Sequence, residues 1–216
     1  MTALVSVLIP SRGRPTRLAS TADELLYLAE DPDSIEILVA ADPDDVTMIG
    51  ARAWLPPQLQ VWTVPERFGY KHLHRYFNAL AALASGEWVM LFNDDAEMLT
   101  PGWDKVIRAE PPGILWPEAD YAPELATFPV IPCAWVRHLG HLSLDQSVDM
   151  WVHHIGRDTG TLRRIPVSIH HEHMTADRTA AERDAVADVA TFWTPEMCRA
   201  READAAKITE LLEAAR

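Results

Sequence analysis

The sequence predicts an α/β protein built around a mostly parallel sheet with helices on both faces. Three observations support this fold class. Short apolar, β-branched runs of strand length recur along the first half of the chain. Segments with apolar residues at helical spacing lie between these runs, so strands and helices alternate. After Glu87, the run at residues 87–92 is apolar, which is typical of a strand buried on both faces of a parallel sheet.

The first half contains most of the regular elements. The predicted strands cover residues 4–9, 35–40, 59–64 and 87–92. The predicted helices cover residues 16–30 and 71–84, and we expect a further helix between the second and third strands. Pro15 is typical of a first helical turn, and Gly86 is typical of the residue that follows a helix.

The second half has a less regular pattern. Prolines are frequent from Glu110 to Pro132, which predicts irregular chain packed over the sheet. Strand-like runs return at residues 130–136 and 165–169. Helical spacing returns at residues 144–155 and, in a charged, alanine-rich form, at residues 195–216. No repeat or clear boundary interrupts the chain, so we expect one domain over residues 1–216.

Composition excludes several classes of protein. The chain has 216 residues, of which 48% are hydrophobic, and 19 basic against 32 acidic side chains give a net charge of −13. These values exclude a disordered chain, a collagen and a coiled coil. The acidic balance argues against broad nucleic-acid binding, because phosphate contacts need clustered Lys and Arg. We find no run of about 18 apolar residues and no leader pattern, and therefore expect a cytoplasmic protein without a membrane partner.

The two cysteines, Cys133 and Cys198, lie far apart in the sequence. Neither has a second Cys nearby, so the sequence predicts neither a disulfide framework nor a Cys-based zinc site. We expect both to be buried free thiols.

Charged residues follow three of the predicted strands. Residues 10–14 read Pro-Ser-Arg-Gly-Arg, residues 42–45 read Asp-Pro-Asp-Asp, and residues 93–95 read Asn-Asp-Asp. Ligands of open parallel sheets bind at the carboxyl ends of the strands, where these residues meet. Turn formation and helix capping are the alternative interpretation of each acidic cluster. Two acidic clusters beside arginines favour a binding site.

Four segments together resemble the GT-A glycosyltransferases of family 2. They are VSVLIPSRGRPTRL (residues 5–18), EILVAADPDD (residues 36–45), the segment from Gly69 to Asn78, and ASGEWVMLFNDDAEMLTPGWD (residues 84–104). The resemblance is good over residues 4–108 and rests on isolated residues beyond. It implies a GT-A fold in which residues 1–108 bind a nucleotide-sugar and residues 109–216 supply the acceptor half and the C-terminal helices.

The resemblance implies a divalent cation at residues 93–95. In the family this triplet is the DXD motif, which holds the cation on the donor diphosphate. Asn93 replaces the usual first acid, so Asp95 is the metal ligand that carries over. Carboxylate ligands suit Mn²⁺ or Mg²⁺.

A late histidine cluster at residues 170–173 resembles the H-x-H of phage-type members of the family. It implies His171 or His173 as a second metal ligand, and strand alternation puts these two on one side. The sequence is not that of a zincin, because Thr175 stands where HExxH needs a histidine. A polar surface turn is the alternative.

The nucleotide half of the donor is expected at the first two strand ends. The resemblance implies that Asp42 contacts the base and ribose. A carboxylate accepts a hydrogen bond from a uracil or guanine ring N–H, so we expect UDP-sugars first and guanosine donors next. Arg12 and Arg14 help to neutralise the diphosphate, and we expect Arg17 to be a solvated helix residue. The full set of predicted nucleotide-sugar-binding residues is Pro10, Ser11, Arg12, Arg14, Asp42, Asn93 and Asp94.

Asp149 is the predicted catalytic residue, because it aligns with the acid that takes the acceptor proton in inverting family members. The alternative role of Asp149 is that of an acid in the first turn of a helix, where it stabilises the helix dipole. Asp145 is a candidate N-cap of the same helix. Trp103 and Asp104 match the family but are expected to serve packing and turn formation. Trp135 and Trp151 are candidates to line the acceptor side, although burial in the core is the commoner role of Trp.

The predicted function is metal-dependent transfer of a sugar from a nucleotide donor to a hydroxyl acceptor. Two alternatives stay open. Residues 13–18 faintly resemble the glycine-rich signature of sugar-phosphate nucleotidyltransferases, which has more glycine and a downstream lysine. Asn93 in place of an acid allows a non-catalytic nucleotide-sugar-binding protein.

The phage-type resemblance implies one particular acceptor, a hydroxymethylated pyrimidine in viral DNA, and then a host-cytoplasmic location. The net charge of −13 counts against this acceptor. A local patch could contact the phosphate chain. Its residues are Arg137, His138, His141, Arg163 and Arg164.

Overall fold

The computed structural model describes residues 4–120, 122–171 and 190–215, and an eight-stranded sheet forms the centre of this part of the chain. Its strands are β1 (Val5–Pro10), β2 (Ile35–Ala41), β3 (Leu59–Thr63), β4 (Trp88–Leu91), β5 (Ala96–Met98), β6 (Ile114–Ala119), β7 (Val130–Pro132) and β8 (Leu162–His171). Its α-helices are α1 (Pro15–Leu28), α2 (Val46–Ala51), α3 (Leu73–Leu83), α4 (Trp103–Ala109), α5 (Cys133–Leu139), α6 (Val148–Asp158) and α7 (Pro195–Ala214).

The order of the strands across the sheet is β3-β2-β1-β4-β7-β6-β8-β5. The first four are mutually parallel, β7 is antiparallel to both of its neighbours, and β6 and β8 are parallel to each other. The carboxyl ends of β1, β2, β4, β6 and β8 therefore lie at one edge of the sheet. This edge gathers the charged residues that follow the strands.

Two apolar clusters cover the two faces of the sheet. Val5, Val7 and Ile9 of β1 pack with α1, α2 and α4, whereas Leu8 belongs to the opposite cluster. That second cluster contains α3, α5, α6 and α7. Side chains of a strand alternate between faces, so one apolar strand supplies both layers. The predicted fold class, a mostly parallel sheet with helices on both faces, is confirmed.

Most predicted elements of the first half are confirmed to within a few residues. The helix predicted over residues 71–84 begins as a 3₁₀ turn at Tyr70–His72 and continues as α3. Two short elements were not predicted, namely β5 and α4.

The prediction of irregular chain between Glu110 and Pro132 is wrong in part, because β6 lies there. Pro117 lies inside this strand and made the segment look unlike one. The parallel pairing of β6 with β8 shifts register between Pro117 and Glu118, and such an irregularity accommodates proline.

Two further boundaries differ from the predictions. The strand predicted over residues 130–136 ends at Pro132, and α5 begins at Cys133; a short apolar run does not distinguish strand from buried helix. The helix predicted over residues 144–155 begins at Val148. Ser143 and Asp145 form local side-chain-to-backbone hydrogen bonds that compete with helical pairing.

Two buried charged residues of α7, Arg201 and Asp204, contact side chains of the second cluster. Asp204 accepts hydrogen bonds from Trp151 Nε1 at 3.1 Å and lies 2.8 Å from His141 Nε2. The Arg201 guanidinium lies over the Phe192 ring and donates to the Phe192 carbonyl oxygen at 2.7 Å. These contacts fix the end of the chain against α6.

The two free cysteines differ in burial. Cys133 is buried as expected, whereas Cys198 is only half-buried. Among the described residues, no helix has both the length and the apolar character needed to cross a membrane.

Candidate functional site

The loop after β1 lies between the ends of β2 and β4. Ser11 N donates to the Ala40 carbonyl oxygen at 3.0 Å, which keeps the loop next to β2. Gly13 has a φ of +71°, a conformation that glycine adopts without strain, and its N–H donates to Asp45 Oδ2 at 2.7 Å. The loop therefore presents Arg12 and Arg14 toward the two acidic strand ends.

Asp42 is the centre of the first charged group at this edge. It is 4% exposed, and its Oδ2 lies 2.8 Å from Arg12 Nη1 and 3.7 Å from Arg67 Nε. Its Oδ1 accepts a hydrogen bond from the Tyr76 hydroxyl. Arg12 also binds both oxygens of Asp44, and these hydrogen bonds lower the pKa of the exposed Asp44 carboxyl. A buried carboxylate thus lies beside two partly exposed arginines.

Asp94 is the centre of the second group. It is 2% exposed, accepts a hydrogen bond from Ser11 Oγ, and pairs with Arg14 Nη2 at 2.8 Å. Burial raises the pKa of Asp94, and the nearby charge of Arg14 opposes that increase. Asp94 therefore holds the loop after β1 against the end of β4.

The Asp95 side chain is directed toward His171, the last residue of β8. Asp95 Oδ1 lies 3.2 Å from His171 Nε2, and Asn93 Nδ2 lies 3.2 Å from the same nitrogen. Arg14 Nη1 is 3.7 Å from Asp95 Oδ2. The structure thus brings His171 next to Asn93 and Asp95, from which it is distant in sequence.

The spacing of Asp95 and His171 fits adjacent ligands of one cation. Two ligands at about 2.1 Å from an octahedral ion, at right angles, are about 3 Å apart. The observed separation of carboxylate oxygen and imidazole nitrogen is 3.2 Å. The part of the chain that is described contains no group of three or more His, Cys, Asp or Glu arranged for a metal. A third ligand of the His, Cys, Asp or Glu type would therefore have to come from outside these residues.

The remaining histidines of the cluster have different positions. His170 Nδ1 pairs with Asp120, on the opposite side of β8 from His171, as alternation along a strand predicts. Asp120 Oδ1 also accepts a hydrogen bond from His171 N at 3.0 Å. The second predicted histidine ligand, His173, lies outside the described residues.

Asp149 lies in the first turn of α6 with a half-buried side chain. Burial raises the pKa of Asp149 to about 6, although hydrogen bonding to Met150 N and the charge of His171 both oppose the increase. The electrostatic effect of His171 means that the two side chains share one region. A carboxyl group with a pKa of about 6 is ionised at neutral pH and is a stronger base than an ordinary aspartate.

Several other candidates turn out to be structural. Asp145 accepts hydrogen bonds from Ser147 N at 2.9 Å and Thr191 Oγ1 at 2.8 Å. Trp103 is fully buried and donates to the Leu25 carbonyl oxygen, and Asp104 accepts from the backbone N–H of Glu30 and Asp31. The packing and turn roles expected for this pair are confirmed.

Three predictions about side chains are corrected. Trp135 and Trp151 are buried in the second apolar cluster and do not line an acceptor surface. Their burial follows from the helical positions of α5 and α6 facing the sheet. Arg17 is not simply solvated, since its Nε donates to the Asp94 carbonyl oxygen at 3.2 Å.

Sequence reasoning missed Tyr76 and Asp120. Tyr76 is an apolar-face residue of α3 by its spacing, and no pattern indicates that its hydroxyl reaches Asp42. Asp120 follows β6, the strand that Pro117 concealed. Correct assignment of β6 would have indicated Asp120, because it is a further acid at a carboxyl end.

Comparison with known proteins identifies the fold. No protein-family model matches the sequence. Solved structures of GT-A glycosyltransferases superpose on the chain with TM-scores above 0.5, so the protein has the GT-A fold.

Among the similar solved structures are two with a bound nucleotide or nucleotide-sugar. The mannosyltransferase PcManGT from Pyrobaculum calidifontis, in complex with GDP-Man and Mn²⁺, has a TM-score of 0.64 and 14% identity; the match covers 99% of this chain and 76% of that one. S. aureus TarS 1-349 in complex with UDP has a TM-score of 0.58 and 12% identity, covering 89% and 73% of the two chains. At such identities the likeness concerns the fold.

One sequence relative is also found. The O-antigen biosynthesis protein RfbC of Myxococcus xanthus is 29% identical over 118 residues. The match covers 52% of this chain but only 9% of that protein. The chain therefore corresponds to a small part of this relative.

Proposed function

We propose that this protein is a metal-dependent glycosyltransferase that moves a sugar from a nucleotide-diphosphate donor to a hydroxyl acceptor. The observation that carries the proposal is the 3.2 Å separation of Asp95 Oδ1 and His171 Nε2, at the sheet edge that also holds Asp42. The fold, the GDP-Man and UDP complexes of the similar structures, and the O-antigen relative support the same conclusion.

The donor lies along the carboxyl edge of the sheet in this proposal. Asp42 receives the base, and residues Pro10 to Arg14 border the ribose and diphosphate. Arg12 and Arg14 are each about one-third exposed and lie next to carboxylates that they neutralise. Their guanidinium groups can turn to the diphosphate, because bidentate contacts with phosphate oxygens suit this group.

Asp95 and His171 would hold the divalent cation, with Asn93 beside them and the diphosphate completing the shell. The similar mannosyltransferase structure contains Mn²⁺, and an oxygen and nitrogen ligand pair suits Mn²⁺ better than Mg²⁺. When bound, the cation stabilises the negative charge of the departing diphosphate. The inward-facing Asp94 holds the loop after β1 in place for this arrangement.

Asp149 acts as the general base in the proposed mechanism. An acceptor hydroxyl is a weak nucleophile, and a carboxylate that takes its proton as the new bond forms contributes about 10²–10⁴ in rate. The raised pKa of about 6 and the proximity of His171 support this role. A single displacement assisted in this way inverts the anomeric centre.

The predicted basic patch bears on the acceptor. The DNA acceptor remains a sequence prediction. Four residues of the predicted basic patch are engaged within the protein: Arg137 with the Ala84 carbonyl, His141 with Asp204, Arg163 with Glu110, and Arg164 with the Pro123 carbonyl. Those contacts reduce the charge available to a phosphate chain. A gel-shift assay with hydroxymethylated DNA at low and high salt tests this acceptor.

A donor panel tests the proposed function. The full chain is incubated with Mn²⁺ and UDP- or GDP-sugars, and release of nucleoside diphosphate is measured with and without candidate hydroxyl acceptors. We expect release with at least one donor and its loss in Asp95→Asn. Formation of nucleotide-sugar from sugar phosphate and nucleoside triphosphate would instead indicate a nucleotidyltransferase. Donor binding without any release would indicate a non-catalytic binding protein.

A further inference from the structure

The Tyr76 hydroxyl has a complete set of hydrogen bonds. It accepts from Phe68 N and from Gly69 N, both at 3.0 Å, and it donates to Asp42 Oδ1. A phenol oxygen has two acceptor lone pairs and one proton, so every position is used. The two backbone N–H groups therefore leave the Tyr76 proton directed only at Asp42.

The partners of the two Asp42 oxygens differ in burial. Tyr76 is 6% exposed and belongs to the apolar cluster under α3, so it cannot leave Oδ1 without unpacking. Arg12 and Arg67, which face Oδ2, have side chains that are 35% and 53% exposed. A ligand can displace these arginines from Oδ2, whereas Oδ1 stays occupied.

This difference matters for the choice of nucleobase. Uracil presents one ring N–H, at N3, and needs one acceptor oxygen. Guanine presents N1–H and the adjacent N2 amino group, and a carboxylate binds this pair best with both oxygens. The buried phenol takes one of the two lone pairs of Oδ1 and sets the orientation of the carboxylate. The second of these bonds would have to use the other lone pair of Oδ1 in that set orientation, which weakens it.

We propose that Tyr76 is a positioning residue that sets donor selectivity: by holding Oδ1 of Asp42 it leaves Oδ2 as the acceptor for one base N–H and favours uracil over guanine. The inference rests on the proposed function, because it requires that Asp42 contacts the base. It goes further in choosing between uridine and guanosine donors, a choice that the similar structures leave open because they include both kinds of complex.

The first test compares UDP and GDP binding to wild type and Tyr76→Phe, by calorimetry in the presence of Mn²⁺. Wild type should bind UDP more tightly, and Tyr76→Phe should lower the UDP to GDP affinity ratio about tenfold. That factor corresponds to about 1.4 kcal/mol, which is within the range for a hydrogen bond to a charged group. If Tyr76 has only a structural role, Tyr76→Phe should weaken the binding of UDP and GDP alike and leave their affinity ratio unchanged.

A second variant, Asp42→Asn, keeps Tyr76 and tests the same idea. With both Tyr76 lone pairs filled, the new amide has to accept from Tyr76 through its oxygen, so its NH₂ group faces the base. We expect loss of UDP binding and a gain for CDP, because cytosine N3 is an acceptor. The double variant Asp42→Asn with Tyr76→Phe should recover part of the UDP binding, since the amide is then free to turn.

The outcomes separate the two proposals. Suppose that wild type binds UDP more tightly than GDP, but the UDP to GDP affinity ratio is unchanged in Tyr76→Phe and Asp42→Asn gains no affinity for CDP. This result would reject the role of Tyr76 and leave the proposed function intact. A wild-type preference for GDP would also reject it. If wild type binds none of the three nucleotides, the nucleotide-donor function fails and the inference fails with it.

Discussion

Asp95 and His171 face each other because Ala96 of β5 pairs with His171 of β8 in antiparallel register. Asp95 directly precedes β5, and His171 is the last residue of β8. The pairing places Asp95 Oδ1 3.2 Å from His171 Nε2, although 76 positions separate the two residues in sequence. Phe128 packs edge-to-face on the His171 ring and limits its movement. Both side chains are 6% exposed, and burial of this kind restricts their rotamers, which lowers the entropic cost of forming a metal site.

Removal of the Asp95 carboxylate should abolish metal-dependent donor binding. Loss of even an outer-shell partner costs about 10–100-fold in metal affinity, so Asp95→Asn should cost at least as much. Titration of Mn²⁺ and nucleotide by calorimetry measures the effect. Asp158→Asn is the control, because Asp158 pairs with Arg157 on a different part of the surface. Unchanged binding in Asp95→Asn would reject this metal site.

Arg14 should have opposite effects on metal and nucleotide. Its guanidinium lies 2.8 Å from Asp94 and 3.7 Å from Asp95, where it repels a cation. Arg14→Gln should therefore bind Mn²⁺ alone more tightly, by about tenfold for a repulsion on the order of 1–4 kcal/mol, yet bind the nucleotide diphosphate more weakly.

Arg12→Gln provides the matched control for Arg14→Gln. Arg12 pairs with Asp42 and Asp44, the acids that follow β2, whereas Asp95 follows β4. Its loss should weaken nucleotide binding and leave the affinity for Mn²⁺ alone unchanged. Equal metal affinity in all three proteins would show that Arg14 does not compete with the cation.

The pH dependence of turnover should report Asp149. Its pKa of about 6 means that kcat should rise with pH and be half-maximal near pH 6, because the ionised form is the base. Asp149→Asn should lower kcat about 100-fold or more while donor affinity stays the same. Normal turnover in this variant, or a product with the donor's anomeric configuration, would show that Asp149 is not the base.

Asp149 should also make stability depend on pH. Its pKa is raised by burial, so the folded protein binds this proton more tightly than the unfolded chain. The resulting stabilisation is complete below the ordinary aspartate pKa of about 4 and disappears as the pH rises through about 6. Asp149→Asn should therefore raise Tm at pH 8 and change it little at pH 4. Thermal melts at both values measure this difference, and the reverse pattern would contradict the raised pKa.

Asn78 should control stability through the segment that precedes α6. Its Oδ1 accepts from Leu142 N and Ser143 N, and its Nδ2 donates to the Ser143 carbonyl at 2.8 Å. Asn78→Ala leaves these backbone groups without a partner and should lower the free energy of unfolding by about 1–3 kcal/mol. Urea denaturation measures the change, with exposed Gln60→Ala as the control. A loss no greater than that of the control would show that the three bonds contribute little.

The alternation of strands and helices was predictable in the first half of the chain because each element there carries a local signal. Apolar runs, Pro15 at a helix start and Gly86 after a helix each depend on a few neighbouring residues. Pro117 in β6 and the apolar run continuing into α5 gave misleading local signals. There, pairing with β8 and packing on the second cluster decided the outcome.

The sequence by itself determined the fold class, the strand ends and the residue types available for chemistry, since these follow from local periodicity and composition. Only the tertiary structure decided which of those residues meet. Asp94 turns inward to Arg14 whereas Asp95 turns to His171, and Tyr76 reaches Asp42 from another helix. Such contacts depend on strand register and on helix position over the sheet. Both are set by long-range pairing and packing that no local pattern records.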